Sequence, residues 1–179
     1  MDPIQELVVL TVDTNPVSTK ELVRWCNSLD SINIQYFVIG KDQKWGGWRW
    51  RIEELYKKLR SIYKSNDYKY AIICDCHDLI FQRKPTNSEI ISLTNNVILG
   101  AEKQLTGIPE FNVKYTLDWQ NINGGFCIGR VDNLLIYYQA ILERWHSCQS
   151  RYSTRVTDQH VISDLFMRNN LPFELHLDI

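Results

Sequence analysis

The run ELVVLTV at residues 6–12 constrains the chain more than any other stretch. Its apolar residues are consecutive rather than alternating, so both faces must be covered, as in a strand within a parallel sheet. IQYFVIG (34–40), YAIICD (70–75) and NVILGAE (96–102) repeat the pattern, and GGFCIGR (124–130) and FELHLDI (173–179) add later strands. Helical segments separate them. Ser18 and Glu21 have capping-box spacing and open a helix to about Leu29, and Thr86 with Glu89 make a second box before a short helix. Residues 49–64 put Trp50, Ile52, Leu55, Leu59, Ile62 and Tyr63 on one face, with lysines and arginines opposite. NLLIYYQAILERW begins a strong amphipathic helix, and another spans about 157–168. This rhythm predicts an α/β fold, a mainly parallel central sheet flanked by helices. Residues 103–121 show no clear period, include Gly107 and Pro109, and read as a long loop.

At 179 residues the chain suits one buried core, so residues 1–179 are read as a single domain. The formal net charge of -1 leaves no sequence-wide basic field for nucleic acid or an anionic membrane. Any anionic ligand must be met locally. No apolar stretch approaches the roughly 20 residues of a membrane helix, and MDPIQELVVL lacks the basic start of a signal peptide. The expectation is a soluble, cytoplasmic chain. Five cysteines without regular spacing do not make a disulfide framework, and Cys26, Cys74 and Cys127 sit in core-like runs.

The chemistry concentrates where the third strand ends, in ICDCHDLIF. Ligands in open α/β sheets collect beyond the carboxyl ends of strands. Asp75 and Asp78 form a hard oxygen pair there, suited to Mg²⁺ or Mn²⁺ and through the ion to a diphosphate. Two other readings of the same residues remain. Both carboxylates could merely cap a turn. Alternatively Cys74, Cys76, His77 and His146 could assemble a zinc site, although strand alternation puts Cys74 and Cys76 on the face opposite Asp75. WGGW (45–48) precedes a helix start bearing Arg49 and Arg51, a place where anions bind, or else simply forms a turn. NGGF (123–126) permits close backbone approach to a ligand or a tight turn, and TDQH (157–160) holds an acid at a helix start or only an N-cap.

In this order and spacing the segments resemble the glycosyltransferase domain of the procollagen-lysine hydroxylase/glycosyltransferase family and its viral and bacterial relatives. The match spans almost the whole chain. In LVVLTVDTNP, Val12 and Thr14 stand where the family holds uridine. Trp45, Gly46 and Gly47 match its tryptophan-glycine-glycine turn, and Arg51 stands where a lysine is common. Asp75 and Asp78 match an Asp-x-x-Asp metal motif, Ala101 and Glu102 an Ala-Glu strand end, and Asn123, Gly124, Gly125 and Phe126 an Asn-Ser-Gly-Gly-Phe type turn. Asp158 and Gln159 match an Asp-Asp-Gln helix start, with Thr157 replacing the first acid. The chain stops at Ile179, before the family's His-Gly-x-Gly segment whose histidine completes the metal site, so the resemblance leaves three readings: another group or water takes that position, the domain is shortened, or the activity is weak.

The resemblance implies a GT-A-like (Rossmann-like) fold that transfers a hexose from a UDP-sugar, with Mn²⁺ or Mg²⁺ at Asp75 and Asp78. Asp158 and Gln159 would be the catalytic residues, and Val12, Thr14, Trp45, Gly46, Gly47, Arg51, Asn123, Gly124 and Gly125 would bind the donor. The acceptor would be a glycan or a hydroxylated protein. A non-catalytic nucleotide-sugar or glycan-binding domain is the competing expectation.

Overall fold

A computed structural model describes residues 6–91, 96–102, 121–152, 156–168 and 171–178. Among the described residues six strands form one sheet: β1 (Leu7–Val12), β2 (Gln35–Ile39), β3 (Tyr70–Cys74), β4 (Asn96–Glu102), β5 (Asn121–Arg130) and β6 (Glu174–Asp178), in the spatial order β2-β1-β3-β5-β4-β6. Pairings of β1 with β2, β1 with β3 and β4 with β6 are parallel. The sequence does not announce a strand's direction, and β5 runs antiparallel to both β3 and β4. The expected parallel character therefore holds for three of five neighbouring pairs. A register shift between Leu99 and Gly100 marks where β4 follows the longer β5.

Five helices are described: α1 (Lys20–Ser31), α2 (Trp48–Ser65), α3 (Asn87–Ile91), α4 (Val131–Tyr152) and α5 (Asp158–Arg168). Alternation along the strands feeds two cores. Val8, Leu10, Ala71 and Ile73 face one side, where they join Ile52, Leu55 and Leu59 of α2 and Leu134, Ile141 and Trp145 of α4. Leu7, Val9, Ile72 and Cys74 face the other, around Trp25 and Leu29 of α1. Consecutive apolar residues in β1 and β3 are thus accounted for by helices on both faces. No described helix is long and apolar enough to cross a membrane.

The helix starts confirm one capping box and shift the other. Thr86 and Glu89 close reciprocally, Thr86 N–H donating to Glu89 Oε2 at 2.8 Å and Glu89 N–H to Thr86 Oγ1 at 3.4 Å. At α1 the cap is Thr19 rather than Ser18: its Oγ1 accepts from Leu22 N–H at 3.1 Å, which starts the helix one residue later. β5 begins at Asn121, before the glycine pair, and residues 103–120 of the expected loop lie outside the described residues.

Candidate functional site

At the end of β3 the ladder continues by one bond, Asp75 N–H to Gly125 O at 2.8 Å, which fixes Asp75 against β5. The approach is close. A Cβ on Gly125 would stand 2.6 Å from Asp75 Oδ2 and 2.8 Å from Asn123 Oδ1, so any larger residue would displace the carboxylate. Asn123 Oδ1 also accepts from Gly125 N–H at 2.6 Å and shapes the turn.

Arg51 lies on the first turn of α2, whose N-cap Gly47 has φ +92° and supplies the left-handed entry. Its side chain points inward. Nη2 donates to Asp75 Oδ1 at 2.7 Å, while Nη1 pairs with Asp158 Oδ2 and reaches Gly124 O at 3.4 Å. Arg51 and Asp158 are buried, whereas the Asp75 side chain is 52% exposed. Asp158 opens α5, and its Oδ1 accepts from Gln159 N–H at 2.9 Å, placing negative charge at a helix N-terminus. Burial pushes the Asp158 carboxyl up against the pull of Arg51. Burial acts to lower the Arg51 value, but Asp158 and Asp75 together hold it above its ordinary value. A guanidinium stays charged in proteins, so the pair is an ion pair.

Two cavities meet at Asp75. One, of about 220 Å³, is lined by Asp75, Asp78, Gly100, Ala101, Asn123 and Gly125 among others. The second, of about 230 Å³, is lined by Trp48, Arg51, Asp75, Thr157, Asp158 and Gln159 together with the 123–125 turn. A broader hollow of about 630 Å³, bordered by Gly46, Gly47, Trp48, Arg49, Trp145 and Thr157, adjoins the second through Trp48 and Thr157. The expected residues Arg51, Asp75, Asp78, Asn123, Gly124, Gly125, Asp158 and Gln159 therefore converge on one place. Trp45 stands edge-on to Trp48 and Trp50, and Gly46 packs on the Trp50 ring. Val12 ends β1 opposite Ile39, and the Thr14 methyl lies beside Gly40; neither lines these three cavities.

The four-residue zinc set is not brought together. Cys74 and Cys76 are buried in the α1-side core, and His146 Nε2 meets Arg49 Nη1 at 3.1 Å. Burial pushes the thiols of Cys74 and Cys76 up to about 12 and about 11, so with no metal bound both are protonated at neutral pH. Asp13 joins the strand ends only in the folded chain. It is buried directly after β1, with Oδ1 accepting from Asn15 N–H and Nδ2–H. The available signal was its place: Asp13 follows β1 as Asp75 follows β3, both near carboxyl ends of neighbouring strands.

No family model and no curated protein matches the chain by sequence. A solved structure matches by fold: the crystal structure of a glycosyltransferase involved in the glycosylation of the major capsid of PBCV-1, at TM-score 0.61 and 10% identity, covering 96% of this chain and 81% of that one. At that identity the likeness is one of fold, and the chain has the GT-A-like, Rossmann-like α/β arrangement of a six-stranded sheet flanked by helices.

Proposed function

We propose that this chain is a glycosyltransferase that takes a hexose from a UDP-sugar, with Mn²⁺ or Mg²⁺ at Asp75 and Asp78, and passes it to a hydroxyl of a glycan or hydroxylated protein. The observation that carries the reading is the placement of both carboxylates in one cavity beyond the carboxyl end of β3, closed on its far side by the Asn123–Gly125 backbone. The kinship to the procollagen-lysine glycosyltransferase domain belongs to the same proposal, and the fold likeness supports its glycosyl-transfer part.

The donor set fits a hard divalent ion: Asp78 is exposed, Asp75 is half-exposed, and the cavity between them and β5 is kept open by the missing Cβ of Gly125. Bound there, the ion would screen a diphosphate and stabilise the charge of the departing UDP. The chain's own groups then divide the work. Arg51 positions Asp75 through one arm and Asp158 through the other, so it orients the carboxylate that faces the cavity instead of forking a phosphate itself. Gln159 and Thr157 border the second cavity, where the sugar would lie, and the tryptophan-bordered hollow beside it would admit the acceptor.

UDP titration in Mn²⁺ and in EDTA tests the reading, together with hydrolysis of UDP-sugars. Affinity should require the metal and fall at least about tenfold, roughly 1.4 kcal/mol, in Asp75→Ala and Asp78→Ala. Equal UDP affinity in EDTA and Mn²⁺ would count against it. The engagement of both Asp158 oxygens, Oδ2 by Arg51 and Oδ1 by Gln159 N–H, favours a second reading as a non-catalytic nucleotide-sugar-binding domain. Metal-dependent UDP binding without turnover of any UDP-sugar would select that one.

A further inference from the structure

A second cluster of ligand-bearing side chains lies beside the Asp75 site but on another face. β1 and β3 pair in parallel with Leu7 opposite Tyr70 and Leu10 opposite Ile73, and extending that register places Asp13 opposite Cys76. The side chain of Asp13 is 2% exposed. Its Oδ1 is held by Asn15 N–H at 2.8 Å and Asn15 Nδ2–H at 2.7 Å. Oδ2 is left facing Cys76 Sγ and His77 Nε2, each at 4.0 Å. A buried carboxylate oxygen whose nearest partners are a weak thiol donor and a distant imidazole is poorly satisfied.

The three ligand atoms, one oxygen, one sulfur and one nitrogen, all lie within 4.8 Å of one another. Zinc bonds of about 2.0–2.3 Å in tetrahedral geometry would set the corresponding edges near 3.3–3.6 Å. The triangle must contract by up to about 1.2 Å along an edge. His77 is the member able to supply the contraction, because its side chain is 51% exposed while Asp13 and Cys76 are buried. Thr11 Oγ1 is buried and faces the Cys76 thiol, where its O–H would donate to a thiolate.

We infer that Asp13, Cys76 and His77 form a site for a borderline divalent cation, Zn²⁺, with the fourth position open to solvent. Mixed thiolate, imidazole and carboxylate donors suit zinc and disfavour Mn²⁺ or Mg²⁺, the opposite of the oxygen-only pair at Asp75 and Asp78. Alternation separates the two sites: Cys76 turns into the α1-side core, while Asp75 turns toward Gly125 and Arg51. An ion at the cluster would pin the end of β1 to the turn that carries Asp75 and Asp78. The inference needs neither UDP nor glycosyl transfer.

The test is Co²⁺ titration of the full chain after removal of metal by a chelator. Expected are a thiolate-to-cobalt charge-transfer band in the near ultraviolet that saturates at one Co²⁺ per chain, and its loss when Zn²⁺ is added. Cys76→Ser should abolish the band, and Asp75→Asn should leave it. His77→Ala, at an exposed position that keeps the fold, should weaken Co²⁺ binding at least about tenfold, since even outer partners of metal ligands matter by that much. The inference is overturned if folded wild-type chain gives no band, if the band survives Cys76→Ser, if Asp75→Asn removes it, or if His77→Ala binds Co²⁺ undiminished. Should Cys76→Ser not fold, the His77→Ala affinity decides. Metal-dependent UDP binding is measured separately with Mn²⁺, so either idea can fail without the other.

Discussion

Arg51 shows how one side chain changes meaning when its surroundings are known. Beside a glycine turn and a helix start it reads as a phosphate ligand; in the structure it is buried between Asp75 and Asp158. The two bonds differ in weight. Asp75 is half in water, so that contact contributes little, whereas Asp158 is buried with it. Arg51→Ala would strand the Asp158 charge and should cost about 3–5 kcal/mol. For a chain of this size each kcal/mol corresponds to about 2–4 °C, so Tm should fall by roughly 10 °C. Adding Asp158→Asn should restore part of the loss, because a neutral amide no longer needs the cation. Thermal melts of both variants and the double variant check this; additive losses would mean the two residues act independently.

Capping decides where elements begin, and at α5 it creates a pH dependence. Thr157 N–H donates to His160 Nδ1 at 3.0 Å, a capping box in which a histidine takes the place of glutamine or glutamate. The acceptor exists only in the neutral ring. Burial lowers the His160 pKa, with Asp158 opposing, so the folded state holds its proton less tightly than the unfolded chain. The stabilisation is therefore full above about pH 6.5, the ordinary histidine value, and is lost as pH falls through the lower folded value. A lost cap is typically worth about 1 kcal/mol, or about 2–4 °C here. His160→Gln keeps the box without the titration, so its Tm should fall less than wild type between pH 7.5 and pH 5. Parallel pH profiles for the two proteins would rule out this role.

On the scale of the whole molecule, one sheet separates two cores that share its strands, so loss on either side should be felt by both. Trp25 anchors the α1 side: it is fully buried and packs edge-on to Tyr36 at 5.4 Å and Phe81 at 6.4 Å between ring centroids. Trp25→Ala should cost about 3–5 kcal/mol through lost contacts and the cavity left behind. Because β1 and β3 carry residues of both cores, denaturant unfolding followed by circular dichroism should keep a single transition at a lower midpoint. Two separated transitions would mean that the cores are independent units.

Much of this arrangement is local chemistry and can be read along the chain. The apolar runs of β1 and β3, the heptad-like face of α2 and the Thr86–Glu89 box follow from side chains a few residues apart, whose periodicity decides strand or helix. The placing of Asp75 and Asp78 beyond a strand end follows in the same way. The reversed β5, the inward turn of Arg51 and the meeting of Asp13 with Cys76 across sixty-three positions depend on which strands become neighbours, and neighbours in a sheet are chosen by packing of the whole chain. Sequence thus set the elements and offered the carboxylates. Tertiary structure decided their partners, because a charge can be compensated only by groups that the fold brings within a few ångströms.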